Sequence, residues 1–111
     1  MSALPLGYEL REEVDVAAAH SYLARSYWSP GIPFETVAKA IANSLCVATW
    51  HEDEQIGLAR LVTDRATFAY LADVYVLEEH RGRGLSKALM AAVHAHPERG
   101  MEILDPEVYL R

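Results

Sequence analysis

The sequence predicts an α+β domain, an α/β sandwich with a mainly antiparallel central sheet flanked by helices. Three observations lead to this class. Two apolar repeats of helical spacing follow a short strand pattern, three runs rich in β-formers are separated by polar turns, and a glycine-containing loop opens a third helical repeat. A last apolar-alternating segment completes the order β-α-α-β-β-β-loop-α-β, which favours a strand meander covered by helices.

Length and composition limit the classes of function. The chain has 111 residues without an internal repeat or a linker-like tract, so we expect a single domain over residues 1–111. Ten basic and sixteen acidic residues give a net charge of −6, which argues against nucleic acids and anionic membranes as partners. The single cysteine excludes an internal disulfide. The lack of a signal-peptide pattern and of an apolar run of about 20 residues predicts a cytoplasmic protein.

The first half of the chain supplies the initial strand and two helices. A strand is expected around 6–10, and Asp15 is a suitable N-cap for a helix that runs to about Tyr27. The prolines and glycine of 28–33 require a loop. Pro33 suits the first turn of a second helix, which apolar spacing extends to about Ser44.

The second half supplies the meander, the third helix and the tail. Strands are predicted at 45–50, 56–63 and 67–76, where β-branched and aromatic residues accumulate between polar turns. The third helix begins at Leu85 and is limited by Pro97, and the short segment 101–111 ends the chain.

The most informative feature is the loop between the third meander strand and the last helix. Gly82 and Gly84 allow successive amides to converge, the helix N-terminus adds unpaired N–H groups, and Arg81, Arg83 and Lys87 add positive charge to an acidic chain. Such a loop suits phosphate or pyrophosphate, although it also fits a simple strand-to-helix turn. The sequence has neither a P-loop nor the third glycine of a dinucleotide-binding fingerprint.

The same run of residues resembles a known family. The segment V-L-E-E-H-R-G-R-G-L-S-K-A-L-M, residues 76–90, is similar to motif A of the GNAT acyl-CoA N-acetyltransferases, V-x-x-x-x-[QR]-x-x-G-x-[GA]. The upstream order of two helices and a three-stranded meander matches as well, so the resemblance extends through Pro97. It implies a GNAT-like fold and transfer of an acetyl group from acetyl-CoA, as co-substrate, to the amine of a small molecule or amino-acid-like substrate.

The resemblance also implies which residues hold the co-substrate. Val74 and Val76 correspond to main-chain contacts of the pantetheine arm, and the Val76 amide to the donor that polarises the thioester carbonyl. The CoA pyrophosphate is expected in the cationic loop, on charge from Arg81 and on the amides of Gly82, Arg83, Gly84, Ser86 and Lys87.

The residues that would bind the amine substrate are less clearly indicated. Asp73 either recognises the amine or acts as general base, or else makes a strand-end hydrogen bond. Trp28 and Phe34 either line the amine pocket or cap the core, and Arg60 is expected to be exposed. The five histidines do not share a metal-ligand spacing, so no metal site is expected.

Two departures from the family pattern affect these expectations. Ser86 stands where motif A usually has its second glycine or alanine. Residues 97–100 then run directly into 101–106, which resembles the family's closing strand and tail, so about 30 residues that form the second cleft wall are absent. Whether the protein or only the present sequence lacks them stays open. The alternative function is therefore a non-catalytic CoA-binding or self-associating module, which could form a homodimer through an exposed sheet edge.

Overall fold

The predicted α+β class and element order are confirmed in the computed structural model, which describes residues 4–98 and 103–104. The helices and strands, in chain order, are β1 (Tyr8–Arg11), α1 (Val16–Leu23), α2 (Phe34–Ala42), β2 (Leu45–His51), β3 (Glu54–Thr63), β4 (Ala69–Val76), α3 (Leu85–Ala95) and β5 (Ile103–Leu104). A short 3₁₀ turn, Glu78–His80, lies in the loop before α3.

The five strands form one sheet in the order β1-β2-β3-β4-β5. Each of the first four is antiparallel to its neighbour, whereas β5 runs parallel to β4 and pairs only with Ala69 and Tyr70. β5 therefore lies on the side of β4 opposite to β3. The edge of β4 that follows Tyr70 is left without a strand partner among the residues described.

The sheet separates two apolar cores. On one face, α3 contributes Leu85, Leu89 and Val93, which pack on the strands. On the other face, α1 and α2 contribute Ala19, Leu23 and Val37. Because both faces are covered, the central strands β2 and β3 are buried along most of their length.

An extra residue in β4 changes which face its side chains reach. Arg60 of β3 pairs with Asp73, but the next residue, Leu61, pairs with Leu71, so Ala72 forms a β-bulge. Side chains normally alternate between the faces of a strand. The bulge shifts this alternation by one, and Asp73 consequently lies on the same face as Arg60. Leu71, which precedes the bulge, faces α3 instead.

The ends of α1 and α2 refine the sequence predictions. Asp15 caps α1 as predicted, since its carboxylate accepts a hydrogen bond from the Ala18 amide at 3.2 Å. The prediction that α1 continues to Tyr27 is wrong, because the helix ends at Leu23. The Ala24 carbonyl accepts a hydrogen bond from the Gly31 amide at 2.8 Å, so the chain folds back at this point. Pro33 directly precedes α2, which ends at Ala42 rather than Ser44.

The remaining predictions agree closely within the described part of the chain. The three meander strands and α3 begin or end within two residues of the predicted positions. Of the tail predicted at 101–111, only Ile103–Leu104 is described, and it forms the expected strand. The other tail positions lie outside the described residues. In the described ranges, every helix is too short or too polar to cross a bilayer.

Candidate active site

A cleft of about 710 Å³ opens between the end of α1, the C-terminal half of β4 and the loop before α3. It brings together residues that are about 60 positions apart in the sequence. Its lining residues are Tyr22, Arg25, Ser26, Tyr27, Trp28, Val74, Tyr75, Val76, Leu77, Glu78, Glu79, Arg81 and Ser86. The predicted positions Trp28, Val74, Val76, Arg81 and Ser86 thus lie around one cleft.

The outer edge of β4 presents main-chain groups to this cleft. The Leu77 amide donates to the Ile56 carbonyl of β3 at 2.8 Å, which fixes the hydrogen-bonding phase of the antiparallel pair. Residues alternate in that ladder, so Tyr75 points its amide and carbonyl toward β3, while Val74 and Val76 point theirs away from it. These outward groups can pair with an extended ligand in the manner of an added strand.

The loop that follows β4 presents a second set of main-chain donors. Gly82 and Gly84 have φ values of +80° and +79°, a region that other residues adopt only at a cost. Gly84 is the N-cap of α3 and has no side-chain cap, so the first amides of the helix point outward. The charged side chains of Arg83 and Lys87 are exposed beside these amides. This loop is suited to bind a phosphate group.

Arg81 connects the loop to both walls of the cleft. Its Nε donates to the Val76 carbonyl at 2.8 Å, and its Nη2 donates to the Tyr22 hydroxyl at 3.2 Å. The side chain is therefore held over the end of β4 by one main-chain and one side-chain acceptor. A guanidinium in this position adds positive charge where the strand edge meets the glycine loop.

Two stacked tyrosines form the floor between the two walls. The rings of Tyr22 and Tyr75 are parallel within 5°, with centroids 3.9 Å apart. Burial raises the pKa of Tyr75 to about 12 despite a hydrogen bond from Gln55, so this phenol stays neutral and structural. Neither tyrosine was among the predicted site residues. Tyr75 could have been found from strand alternation, because it lies between Val74 and Val76, whereas no local pattern marks Tyr22.

A buried polar network supports the opposite end of the cleft. Asp73 accepts a hydrogen bond from the Trp28 indole Nε1 at 2.9 Å and forms an ion pair with Arg60 Nε at 2.7 Å. The Arg60 Nη1 also donates to the Ser44 hydroxyl at 3.1 Å. The loop after α1, the bulge of β4, the middle of β3 and the end of α2 are joined through these contacts.

This network corrects one expectation and bears on a second. Arg60 was expected to be exposed, but its side chain is only 17% exposed because the β4 bulge places Asp73 beside it. Asp73 was a candidate base, yet it is buried, does not line the main cleft, and both of its carboxylate oxygens accept hydrogen bonds from the protein. The alternative expectation, an aspartate with a hydrogen-bonding role in the strand, fits the geometry.

Phe34 lies apart from the other predicted substrate residue. It is 45% exposed, it packs edge-on against His20 with ring centroids 5.4 Å apart, and it is not part of the cleft wall. The turn of the chain after α1 explains the separation, since it directs Trp28 toward β4 and starts α2 on the outer side. Only Trp28 of this pair lines the cleft.

Other reactive side chains do not contribute to the cleft. Burial raises the pKa of the Cys46 thiol to about 11, so it is a poor nucleophile at neutral pH. Within residues 4–98 and 103–104, no three histidine, cysteine, aspartate or glutamate side chains form a cluster that could hold a metal. The chemistry available in the cleft is hydrogen bonding by main-chain donors, phosphate binding and aromatic contact.

Comparisons with known proteins agree with this geometry. A family model for the acetyltransferases of the GNAT family matches residues 8–105. Among solved structures, a candidate acetyltransferase of the GNAT family from Xanthomonas campestris is 38% identical, with a TM-score of 0.84 over 98% of this chain and 84% of its own.

Two curated relatives are also similar. A candidate acetyltransferase of Gibberella zeae is 30% identical over 58% of this chain and 46% of its own length. The chloroplastic GCN5-related N-acetyltransferase 2 of Arabidopsis thaliana is 32% identical over 70% of this chain and 38% of its own length. The chain spans less than half the length of both curated relatives.

Proposed function

Because the chain belongs to the GNAT family of acetyltransferases, we propose that it transfers an acetyl group from acetyl-CoA to the amine of a small molecule or amino-acid-like substrate. The family is one of acetyltransferases, and the proposal adds the N-acetyl specificity and the class of acceptor.

The observation that carries the proposal is the continuity of main-chain donors along one wall of the cleft. The outward amides of Val74 and Val76 lead directly into the loop of Gly82 and Gly84 and the free N-terminus of α3. An extended arm that ends in a pyrophosphate requires both features in this order. Arg81 lies where the two features meet and supplies positive charge.

In the proposed reaction, the neutral amine nitrogen attacks the carbonyl carbon of the thioester. A C–N bond forms, the C–S bond breaks, the nitrogen loses a proton and the sulfur gains one. The Val76 amide, on the open edge of β4, is the proposed donor to the carbonyl oxygen as negative charge develops there. This contribution needs no side chain, so it depends on the position of the strand edge.

The proton of the amine requires an acceptor other than Asp73, whose oxygens are engaged by Trp28 and Arg60. The carboxylates that line the cleft are Glu78 and Glu79, and both are exposed. We propose that the proton leaves through water in this open part of the cleft, since exposed carboxylates exchange protons readily with solvent.

A thiol-release assay with acetyl-CoA tests the proposal. The protein is assayed against a panel of primary amines and amino acids, and acetylated products are identified by mass. We expect saturable turnover that requires both substrates. Tight CoA binding without turnover on any amine would contradict the enzyme and favour a CoA-binding module.

The alternative function, a self-associating module, is supported by one observation. Because β5 pairs only with Ala69 and Tyr70, the rest of the β4 edge has no strand partner in the described part of the chain. An exposed edge of this kind favours strand addition from a second copy. Light scattering distinguishes the two, since self-association through the edge predicts a dimer that CoA dissociates.

A further inference from the structure

The two ends of the cleft have different chemistry. The glycine loop and Arg81 lie beyond Val76, at the end suited to phosphate. Trp28 lies at the opposite end, where its indole is hydrogen-bonded to Asp73, the residue before Val74. Under the proposed function, the acyl acceptor enters at the Trp28 end, because the co-substrate extends from the phosphate end along β4.

Two polar groups of the α1 side at this end, the Trp28 indole and the Ser26 hydroxyl, are already paired within the protein. The Trp28 indole N–H donates to Asp73 at 2.9 Å. The Ser26 hydroxyl donates to the Leu23 carbonyl at 2.7 Å and accepts from the Ser29 amide at 3.1 Å. Saturated in this way, these groups offer little hydrogen bonding to a ligand.

The aromatic surfaces at the same end are accessible. Tyr27 is 73% exposed, and its ring meets the Trp28 ring edge-on, with centroids 5.2 Å apart. Tyr27 and Trp28, here called the aromatic wall, both line the cleft. Because the indole N–H is already paired and the rings remain partly exposed, this wall binds planar apolar groups better than hydroxylated ones.

We propose that the acceptor is a primary amine carried on an aromatic group, which packs on the aromatic wall, and that Asp73 is a positioning residue that holds the Trp28 indole in place. This inference rests on the proposed function and narrows its acceptor class. Arg60 in turn holds Asp73, and the Ser44 hydroxyl holds Arg60, so the wall is anchored through β3 to the end of α2.

The first test compares two amines on the wild-type protein. Phenethylamine carries the aromatic group, and ethanolamine replaces it with a hydroxyl. We expect kcat/KM to be at least about tenfold higher for phenethylamine, the scale at which apolar pockets discriminate. Equal values for the two amines would overturn the inference and leave the proposed function intact. Turnover of neither these amines nor the wider panel would overturn both.

The second test removes one ring at a time. Trp28→Leu deletes half of the aromatic wall, and the matched control Phe34→Leu deletes an exposed ring outside the cleft. We expect Trp28→Leu to raise the KM for phenethylamine about tenfold and to leave the KM for acetyl-CoA within about twofold. Phe34→Leu should change neither value by more than about twofold. A similar rise in both KM values for Trp28→Leu would show general damage and overturn the inference.

The third test addresses Asp73. Asp73→Ala together with Arg60→Leu removes the indole's partner without leaving a buried guanidinium unpaired. We expect an increase of about fivefold in the KM for phenethylamine at constant acetyl-CoA KM. When Trp28→Leu is added, the total increase should be about tenfold, the same as for Trp28→Leu alone. Asp73→Asn, which keeps an acceptor oxygen for the indole, should restore the KM for phenethylamine to within about twofold of wild type. If the increases in the KM for phenethylamine were fully additive in free energy, the positioning role of Asp73 would be overturned.

Discussion

The two ends of the cleft are built from different parts of the chain. At the phosphate end, the binding groups are main-chain amides of one continuous segment, from Val74 to the first turn of α3, and side chains add only charge. At the acceptor end, the groups are side chains from four separate elements, joined by Asp73. The first end depends on backbone conformation, whereas the second depends on buried pairing. Substitutions at the two ends of the cleft should therefore have different consequences.

The largest effect is expected in the buried network. Asp73→Ala should lower the free energy of unfolding by about 3 kcal/mol, because it leaves the Arg60 guanidinium buried and unpaired. Urea denaturation measures this change. The double variant Asp73→Leu/Arg60→Leu should recover at least half of the loss.

An exposed ion pair provides the matched control. Arg65 and Glu98 lie 2.6 Å apart, a distance similar to that of the buried pair, but their side chains are 45% and 60% exposed. Glu98→Gln should cost no more than about 0.5 kcal/mol. Equal losses for the two pairs would show that burial is not what makes the Asp73 network important.

The next effect concerns the phosphate end. Gly84→Asp places a carboxylate at the N-terminus of α3 and should weaken CoA binding about 100-fold, or about 2.7 kcal/mol, while the fold is kept. An added Cβ at Gly84 would meet nothing within 4 Å. Gly84→Asn is the control for the positive φ, and it should weaken CoA binding by less than about tenfold. Calorimetric titration measures both, and equal losses would assign the effect to strain rather than charge.

A smaller effect is expected where the two ends meet. Tyr22→Phe removes the hydroxyl that accepts from Arg81 but keeps the ring stacked on Tyr75. Since Arg81 retains the Val76 carbonyl, we expect the Kd for CoA to rise only about threefold. Tyr27→Phe, the hydroxyl control, should leave the Kd unchanged. A loss as large as that of Gly84→Asp would show that a side chain dominates the phosphate end.

The smallest effect concerns an aspartate at the other end of β4. Hydrogen bonds from the Thr67 side chain, and from the amides of Ala66, Thr67 and Phe68, hold the pKa of Asp64 well below its usual range. A lowered pKa means that this carboxylate stabilises the fold above its unfolded pKa near 4 and stops doing so as pH falls. The difference in Tm between wild type and Asp64→Asn should thus narrow between pH 5 and pH 3. A difference in Tm that stays the same across this pH range would contradict the lowered pKa of Asp64.

The contrast between the two ends also explains what the sequence could predict. The phosphate end is local: two glycines, three cations and a helical repeat lie within a few residues, so their pattern indicates both the conformation and the ligand class. The acceptor end joins Trp28 to Asp73 and Asp73 to Arg60 across large separations in sequence. Local periodicity carries no information on such pairs.

The burial of Arg60 could not be predicted from the sequence of its own strand. A lone arginine in an alternating strand is usually exposed, and the alternation of β3 alone cannot show that β4 contains one residue too many. The shift at Ala72 is visible only once the two strands are paired. The prediction for α1 failed for a related reason, since the chain folds back through a hydrogen bond from Gly31 to Ala24, which apolar spacing does not reveal.

The bulge at Ala72 decides which face of the sheet the charge of Asp73 reaches. Ala72 is half-buried and makes no side-chain hydrogen bond that positions the cleft, so many residues can occupy its place. If β4 kept all its residues but lost the bulge, Ala72 would pair with Arg60, and Asp73 would turn to the opposite face. Its charge would then enter the apolar layer beneath α3. Deleting Ala72 would instead leave a regular ladder in which Leu71 and Asp73 keep their partners and their faces. The loss of this one residue is therefore a milder change than the loss of a residue between Asp73 and the end of the strand.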